Sequence, residues 1–202
     1  MLTVRLDESA RPELRAHFLA LGREDRRLRF GIITHDAMIE RYADSLDFSR
    51  DAVFGVQGDG RRLDGITHLA LEKNHAEIGV SVRHTARGRG IGTALVSRAA
   101  LHARNLNINV LFMQCLSENR AMMRIAASLG MRIVTDAGQS EGSLSLPSAN
   151  ARSMLREMVE DRIALCDAAL RATFTPHAWF GNVRQGKKPQ TDRRDRRTES
   201  VE

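Results

Sequence analysis

The chain has 202 residues, of which 42% are hydrophobic and 28% charged, and it carries a formal charge of +6. That apolar content builds a real core and excludes global disorder, and the length fits one ordinary domain with room for an appendage. No run approaches the roughly 18 apolar residues of a membrane span, and the first eight residues are charged too early for a secretory signal. A cytoplasmic protein without a membrane partner is expected.

Aromatic residues make up only 4% of the chain, so the core must rest on Leu, Ile, Val, Met and Ala. Cys115 and Cys166 stand in apolar sequence with no metal-ligand spacing near them. They read as buried free thiols, and no metal site is expected. Half of the net positive charge falls from Arg184 onward, where seven Lys/Arg face four Asp/Glu. That balance would suit a polyanionic ligand, an acidic partner or nucleic acid, and charge alone does not choose among them.

Residues 2–6 alternate as a short strand. Ser9 reads as the cap of a helix with Pro12 in its first turn, a stripe of Leu14, Phe18 and Leu21, and Gly22 as its stop. Arg23 to Arg29 is a dense charge cluster that reads as a solvated loop, with a substrate-facing rim as the alternative. Thr34 is expected to cap a second helix that turns Met38, Ile39, Tyr42 and Leu46 inward. Segments 51–57, 64–72 and 76–82 then form an antiparallel meander joined by Gly-Asp-Gly and Lys-Asn-His turns.

The third of these strands points Ile78, Val80 and Val82 one way and Glu77, Gly79 and Ser81 the other. It leads into Arg87-Gly88-Arg89-Gly90-Ile91-Gly92 and then an amphipathic helix from Thr93. A strand that runs through a glycine-rich loop into a helix N-terminus is a phosphate site in outline, because glycines admit close approach and the first-turn N–H groups attract anions. The spacing is not that of the dinucleotide fingerprint, and the Gly-Lys-Ser/Thr of a P-loop is absent. Next, 109–116 is a nearly continuous apolar run, as a buried central strand would be. Ser117 reads as the cap of a helix over 118–129 that Gly130 ends, and 131–135 and 142–146 supply two last strands. After Pro147 a long helix over about 149–172 carries Leu155, Val159, Ile163, Cys166 and Leu170 on one stripe. It is expected to pack across the domain, with a dimer contact as the alternative. His68, His75 and His84 show no metal-site spacing and default to surface or loop positions.

Arg87, Gly90 and Gly92 resemble the Arg/Gln-x-x-Gly-x-Gly/Ala pyrophosphate signature of the GCN5-related N-acetyltransferases. Ser117-Glu118-Asn119 through Leu129-Gly130-Met131 resembles that family's second motif, an Asn-bearing helix ending in Leu-Gly-Phe. The resemblance covers residues 1–146 and implies an α/β (α+β) fold. Its sheet is mixed, mostly antiparallel and seven-stranded, splayed between strands four and five, with helices on both faces. Residues 147–181 would be a helical extension and 182–202 a basic, disordered tail.

The resemblance also implies acetyl-CoA as acyl donor and an amine as acceptor. Val80 and Val82 would pair with the pantetheine arm through their backbone. Arg87, Gly88, Arg89, Gly90, Ile91, Gly92 and Thr93 would hold the pyrophosphate, and Asn119 would contact the coenzyme. Glu77 is the expected general base, with Glu72 as a weaker substitute. The position where many relatives carry a tyrosine acid is Ala126 here, which leaves water, Ser117 or Cys115 to protonate the thiolate. Leu28-Arg29-Phe30, the glutamate that starts the strand, Leu116-Ser117-Glu118-Asn119-Arg120-x-Met122 and Ala126 together look like the acetyltransferase domain of bacterial Pat-type protein lysine acetyltransferases. A protein lysine is therefore the expected acceptor. The alternatives are a small-molecule amine, or a non-catalytic acyl-CoA-binding regulatory module. No nucleic acid is expected as a partner, and a homodimer through the C-terminal helix remains open.

Overall fold

A seven-stranded sheet in the order β1-β2-β3-β4-β5-β7-β6 organises the computed structural model, which describes residues 1–174. The elements in chain order are β1 (Val4–Leu6), α1 (Arg11–Leu19), α2 (Arg23–Phe30), α3 (Asp36–Ser45), β2 (Ala52–Gln57), β3 (Leu63–Leu71) and β4 (His75–Val82). Then come α4 (Ile91–Asn105), β5 (Val110–Leu116), α5 (Arg120–Ser128), β6 (Arg132–Asp136), β7 (Gln139–Ser145) and α6 (Ala151–Phe174). All pairings are antiparallel except β4 with β5. That parallel ladder holds only from His75↔Val110 to Ile78↔Met113, although β4 runs on to Val82 and β5 stays paired with β7 to Leu116. Past Ile78 the two strands part, so the sheet is splayed where expected.

Two apolar clusters flank the sheet. On the α4 side, Ile78, Val80, Leu69, Leu111 and Met113 pack against Ile91, Leu95, Val96 and Ala99. On the other side, Val53 and Ile66 pack against Leu14, Phe18 and Ile39 of α1 and α3. At about 25 cal/mol per Å² of apolar surface, these buried aliphatic side chains are the main stabilising force. Pleating sends Val80 to the first layer and Gly79 and Ser81 to the second.

Several local expectations are corrected. Asp7, not Ser9, accepts the capping hydrogen bond, and it caps a 3-10 turn ahead of α1. His35, not Thr34, stands at the N-cap of α3, because the Thr34 hydroxyl is bonded to the carbonyl of Ile32. Asn119, not Ser117, caps α5: its side chain accepts from the Met122 N–H at 3.2 Å, while the Ser117 hydroxyl donates to the carbonyl of Gly138.

The segment read as a solvated loop is the helix α2. Gly22 opens it, Glu24 and Asp25 occupy its first turn, Arg27 and Arg29 its last, and Gly31 closes it in the left-handed conformation at φ 77°. That charge order complements the helix dipole, and Glu24 pairs with Arg27 one turn on.

The long helix does pack on the domain, but not by its apolar stripe. Leu155, Val159, Ile163, Cys166 and Leu170 are exposed, and the face turned inward is polar. There the guanidinium of Arg98, from α4, meets Glu157 at 2.7 Å and Asp161 at 2.5 Å, while Glu157 also accepts from His102 and Asn105. Burial alone would raise the Glu157 carboxyl, but these bonds outweigh it and hold the pKa at about 2. Buried charges are costly unless paired, so this cluster fixes which face of α6 turns inward. Cys166 is thus an exposed thiol rather than a buried one, and Cys115 is half-buried with its thiol pushed up by burial. Among the described residues no helix is long and apolar enough to cross a membrane. The tail expected over 182–202 lies outside the described residues.

Candidate active site

The parting of β4 from β5 opens a cleft of about 480 Å³. Val80, Ser81 and Val82 of β4, the loop residues Arg87, Gly88 and Gly90, and Ile91, Gly92 and Thr93 of α4 line it. Asn119, Met122, Arg124 and Ile125 close it from the α5 side, and Leu21, Asp25, Leu28 and Arg29 close it from the α2 side. Nine of the positions singled out from sequence therefore meet in one cavity.

The glycines do different jobs. Gly88 and Gly90 adopt φ of 75° and 77°, and a Cβ at either would meet nothing within 4 Å. Their constraint is conformational, since other residues rarely adopt that region. Gly92 is a spacing residue instead, because a Cβ there would stand 2.7 Å from Ile125 Cδ1, where α4 packs on α5. No side chain caps the N-terminus of α4. Its first-turn N–H groups and its dipole are thus available to an anion in the cleft.

The cations are arranged less simply than the motif suggests. Arg87 lies 2.6 Å from Asp25 of α2, across the cleft. Arg89 does not line the cavity and turns toward Asp64 at 3.5 Å. Arg124 does line it, and only the helix register of α5 reveals that; nothing in the sequence marked it from any other surface arginine.

Glu77 also lies outside the cavity lining. It is exposed, in register with Ala70 and Phe112, one residue before the last paired position of β4 and β5. Val80 is three residues further along the same strand, roughly 10 Å away. Glu77 shares a face with Gly79 and Ser81, and that face holds groups the sequence did not bring together. His17 of α1 is fully buried; its Nδ1–H donates to the carbonyl of Leu63, so its Nε2 accepts from the Ser81 hydroxyl at 2.9 Å. Burial pushes its pKa down to about 4.

Beside it, four groups from α2, α3, β3 and the turn before β2 form one chain. Asp51 and His68 Nε2 are 3.0 Å apart, His68 Nδ1 and the Tyr42 hydroxyl 3.0 Å, and the Tyr42 hydroxyl and Arg29 Nη2 2.8 Å. Burial lowers the imidazole of His68, while for Asp51 hydrogen bonds from Arg50 and His68 outweigh burial and keep the carboxyl low. An ionised carboxylate only accepts, so the neutral ring carries its proton on Nε2. Nδ1 then accepts from Tyr42, and the Tyr42 oxygen accepts from Arg29. His68 is therefore a structural relay and not a surface histidine.

Helix α2 roofs this end of the cleft. Arg27 bonds Glu118 at 2.6 Å, the Asn119 amide donates to the carbonyl of Leu28 at 3.4 Å, and Asp25 holds Arg87. Ala126, where a tyrosine acid was considered, is fully buried, and Cys115 and Ser117 are not among the lining residues. Among the described residues no cluster of His, Cys, Asp and Glu could hold a metal ion.

The sequence matches the family model of the acetyltransferase (GNAT) domain over residues 10–132. The chain belongs to the GNAT acetyltransferase family. Solved GNAT structures share its fold. The GNAT domain of S. lividans PAT superposes with a TM-score of 0.62 at 16% identity, covering 71% of this chain and 89% of that one. The ribosomal-protein-alanine N-acetyltransferase from Brucella melitensis gives 0.57 at 17% identity, covering 72% of this chain and 100% of that one. The protein yncA from Salmonella typhimurium, solved with its cofactor acetyl-CoA, gives 0.57 at 16% identity, covering 75% of this chain and 96% of that one. At these identities the likeness is one of fold. No curated protein matches the sequence.

Proposed function

We propose that the chain is an N-acetyltransferase that moves acetyl from acetyl-CoA to a primary amine. The observation that carries this is the splayed cleft, whose far end is a left-handed glycine loop feeding an uncapped helix N-terminus. The free β5-facing edge of β4 past Ile78 suits a pantetheine arm laid down like an added strand, with Val80 and Val82 supplying backbone groups. The amides from Gly88 to Gly92 suit a pyrophosphate, with Arg87 and Arg124 as flanking cations. A β4 backbone N–H near Val80 would face the oxyanion formed when the amine adds to the thioester carbonyl.

An alkylammonium acceptor has a pKa near 10.4 and must lose a proton before it attacks. Glu77 would take that proton through a water, since along the strand it stands roughly 10 Å from Val80. No Tyr, Cys or His is among the described residues lining the cleft, so water is the donor that returns a proton to the departing thiolate. The sequence resemblance around Glu77 and Asn119 supports a protein lysine as acceptor. The roof that α2 forms over the acceptor side favours a second reading, a small-molecule amine.

Thiol release from acetyl-CoA, measured against mixed amines and a protein extract, tests the reaction. Acceptor-dependent release should fall by about 10²–10⁴-fold in Glu77→Gln, with acetyl-CoA affinity unchanged by calorimetry. Tight donor binding without release for any acceptor would instead make the chain an acyl-CoA-binding regulatory module.

A further inference from the structure

Arg29 is the one group at the cleft that this chemistry leaves without a task. Three neighbouring guanidiniums are held by carboxylates, Arg26 by Asp36, Arg27 by Glu24 and Glu118, and Arg87 by Asp25, while Arg124 lines the cleft from the α5 side, where the pyrophosphate is placed above. Among the described residues Arg29 has no carboxylate partner. Its Nη2 donates to a neutral phenol, and its Nε is buried with no hydrogen-bond partner. A partly buried cation with an idle donor is costly, and such groups are normally satisfied.

Arg29 is also held in place rather than free to wander. Its guanidinium lies over the Phe30 ring at 5.0 Å and the Tyr42 ring at 5.5 Å. The Asp51–His68–Tyr42 chain turns the phenol oxygen toward it as an acceptor. Beneath it is Gly79, where any Cβ would stand 2.3–2.6 Å from the guanidinium atoms. The guanidinium thus rests directly on β4, beside Val80, and on the same face as Glu77. Along the strand, Gly79 is roughly 7 Å from Glu77.

We propose that Arg29 is the anion-binding element of the acceptor site and that the preferred acceptor is an amine bearing a carboxylate. The inference rests on the acetyl-transfer reading above. The amine would be placed toward Glu77 and the thioester, and its carboxylate against Nη1, the guanidinium nitrogen that is neither buried nor bonded. A bare alkylammonium ion would meet a like charge there, while an acceptor that brings its own anion neutralises it. The carboxylate could belong to a free amino acid or to an Asp or Glu flanking a lysine.

The test compares free amino acids with the corresponding amino acid amides, and Glu-flanked lysine peptides with Gln-flanked ones, in wild type, Arg29→Gln and Arg29→Lys. We expect kcat/KM to favour the carboxylate form by about tenfold or more, chiefly through KM. Arg29→Gln should erase that preference with the acetyl-CoA Kd and the melting temperature kept, and Arg29→Lys should restore part of it. Preference confined to the free acids would assign a small-molecule acceptor, and preference confined to the peptides a protein. Equal use of acids and amides by the wild type would overturn the proposal.

Failure of the acetyl-transfer reading is separable. If no amine is acetylated, titration of L-glutamate into the protein with coenzyme A bound is followed at the Arg29 Nε–H by NMR. A saturable shift that L-glutamine does not produce upholds the anion site, and no shift rejects it.

Discussion

The two sides of β4 are assembled in opposite ways. Toward α4, the cleft is shaped by the stretch from Val80 to Thr93 together with α5, and its chemistry is carried by backbone: two left-handed glycines, a bare helix end and an unpaired strand edge. Toward α1–α3, the chemistry is carried by side chains, and Arg29, Tyr42, Asp51 and His68 come from widely separated positions. A backbone site recognises what every donor of its class shares, a phosphate and an amide-bearing arm. A side-chain site recognises what differs between acceptors. The split implies that mutations on the first side should abolish function for all acceptors, and that mutations on the second should re-rank them.

The largest effect should come from Gly90→Val. A β-branched residue at φ 77° is strained and would turn the first N–H groups of α4 away from the cleft. Losing one or two charge-assisted hydrogen bonds should weaken acetyl-CoA by roughly 100-fold or more, equally for every acceptor. Calorimetry on the folded variant checks this. An unchanged Kd would move the donor away from the loop and undo the comparison.

Acid should separate the two sides next. The pKa of His17 falls from 6.5 to about 4 on folding, so the unfolded chain binds more protons between those values. The contribution of His17 is complete above pH 6.5 and is lost as pH drops toward 4, by about 3 kcal/mol at full titration. The lowered pKa of His68 acts in the same direction. Glu157 is lost only further down, between 4.5 and about 2. Denaturant melts at pH 7, 5.5 and 4 should show the loss in wild type. In His17→Gln the protein should be less stable at pH 7, with a clearly shallower slope below it.

The contrast also explains what the sequence disclosed. The order of the strands, the splay and the cavity lining from Val80 to Thr93 were legible because they depend on period-two patterning and on glycines at fixed offsets. The α2 helix was not, because eight residues with six charges have no apolar period, and ion pairs with Glu118 and Asp36 hold it down. The stripe on α6 misled for the converse reason: Leu155, Val159 and Ile163 satisfy the helical period, yet the buried cluster around Arg98 decides which face packs. Tyr42 reads from the sequence only as part of an inward-facing stripe, although α3 brings its hydroxyl to the arginine beside β4.

The smallest effect should come from Asp51→Asn, at the far end of the relay from the cleft. An amide can still accept from His68, but it can also donate to it, so the ring is no longer obliged to carry its proton on Nε2. With the proton on Nδ1, His68 would donate to Tyr42, whose own proton would then turn toward Arg29 and repel it. The lost charged hydrogen bond should cost about 2 kcal/mol, and acceptor KM should rise a few-fold while the acetyl-CoA Kd stays fixed. Ring nitrogen shifts of His68 report the tautomer directly. A change of tautomer with acceptor KM unmoved would cut the relay off from the acceptor side and leave Arg29 held by its aromatic neighbours alone.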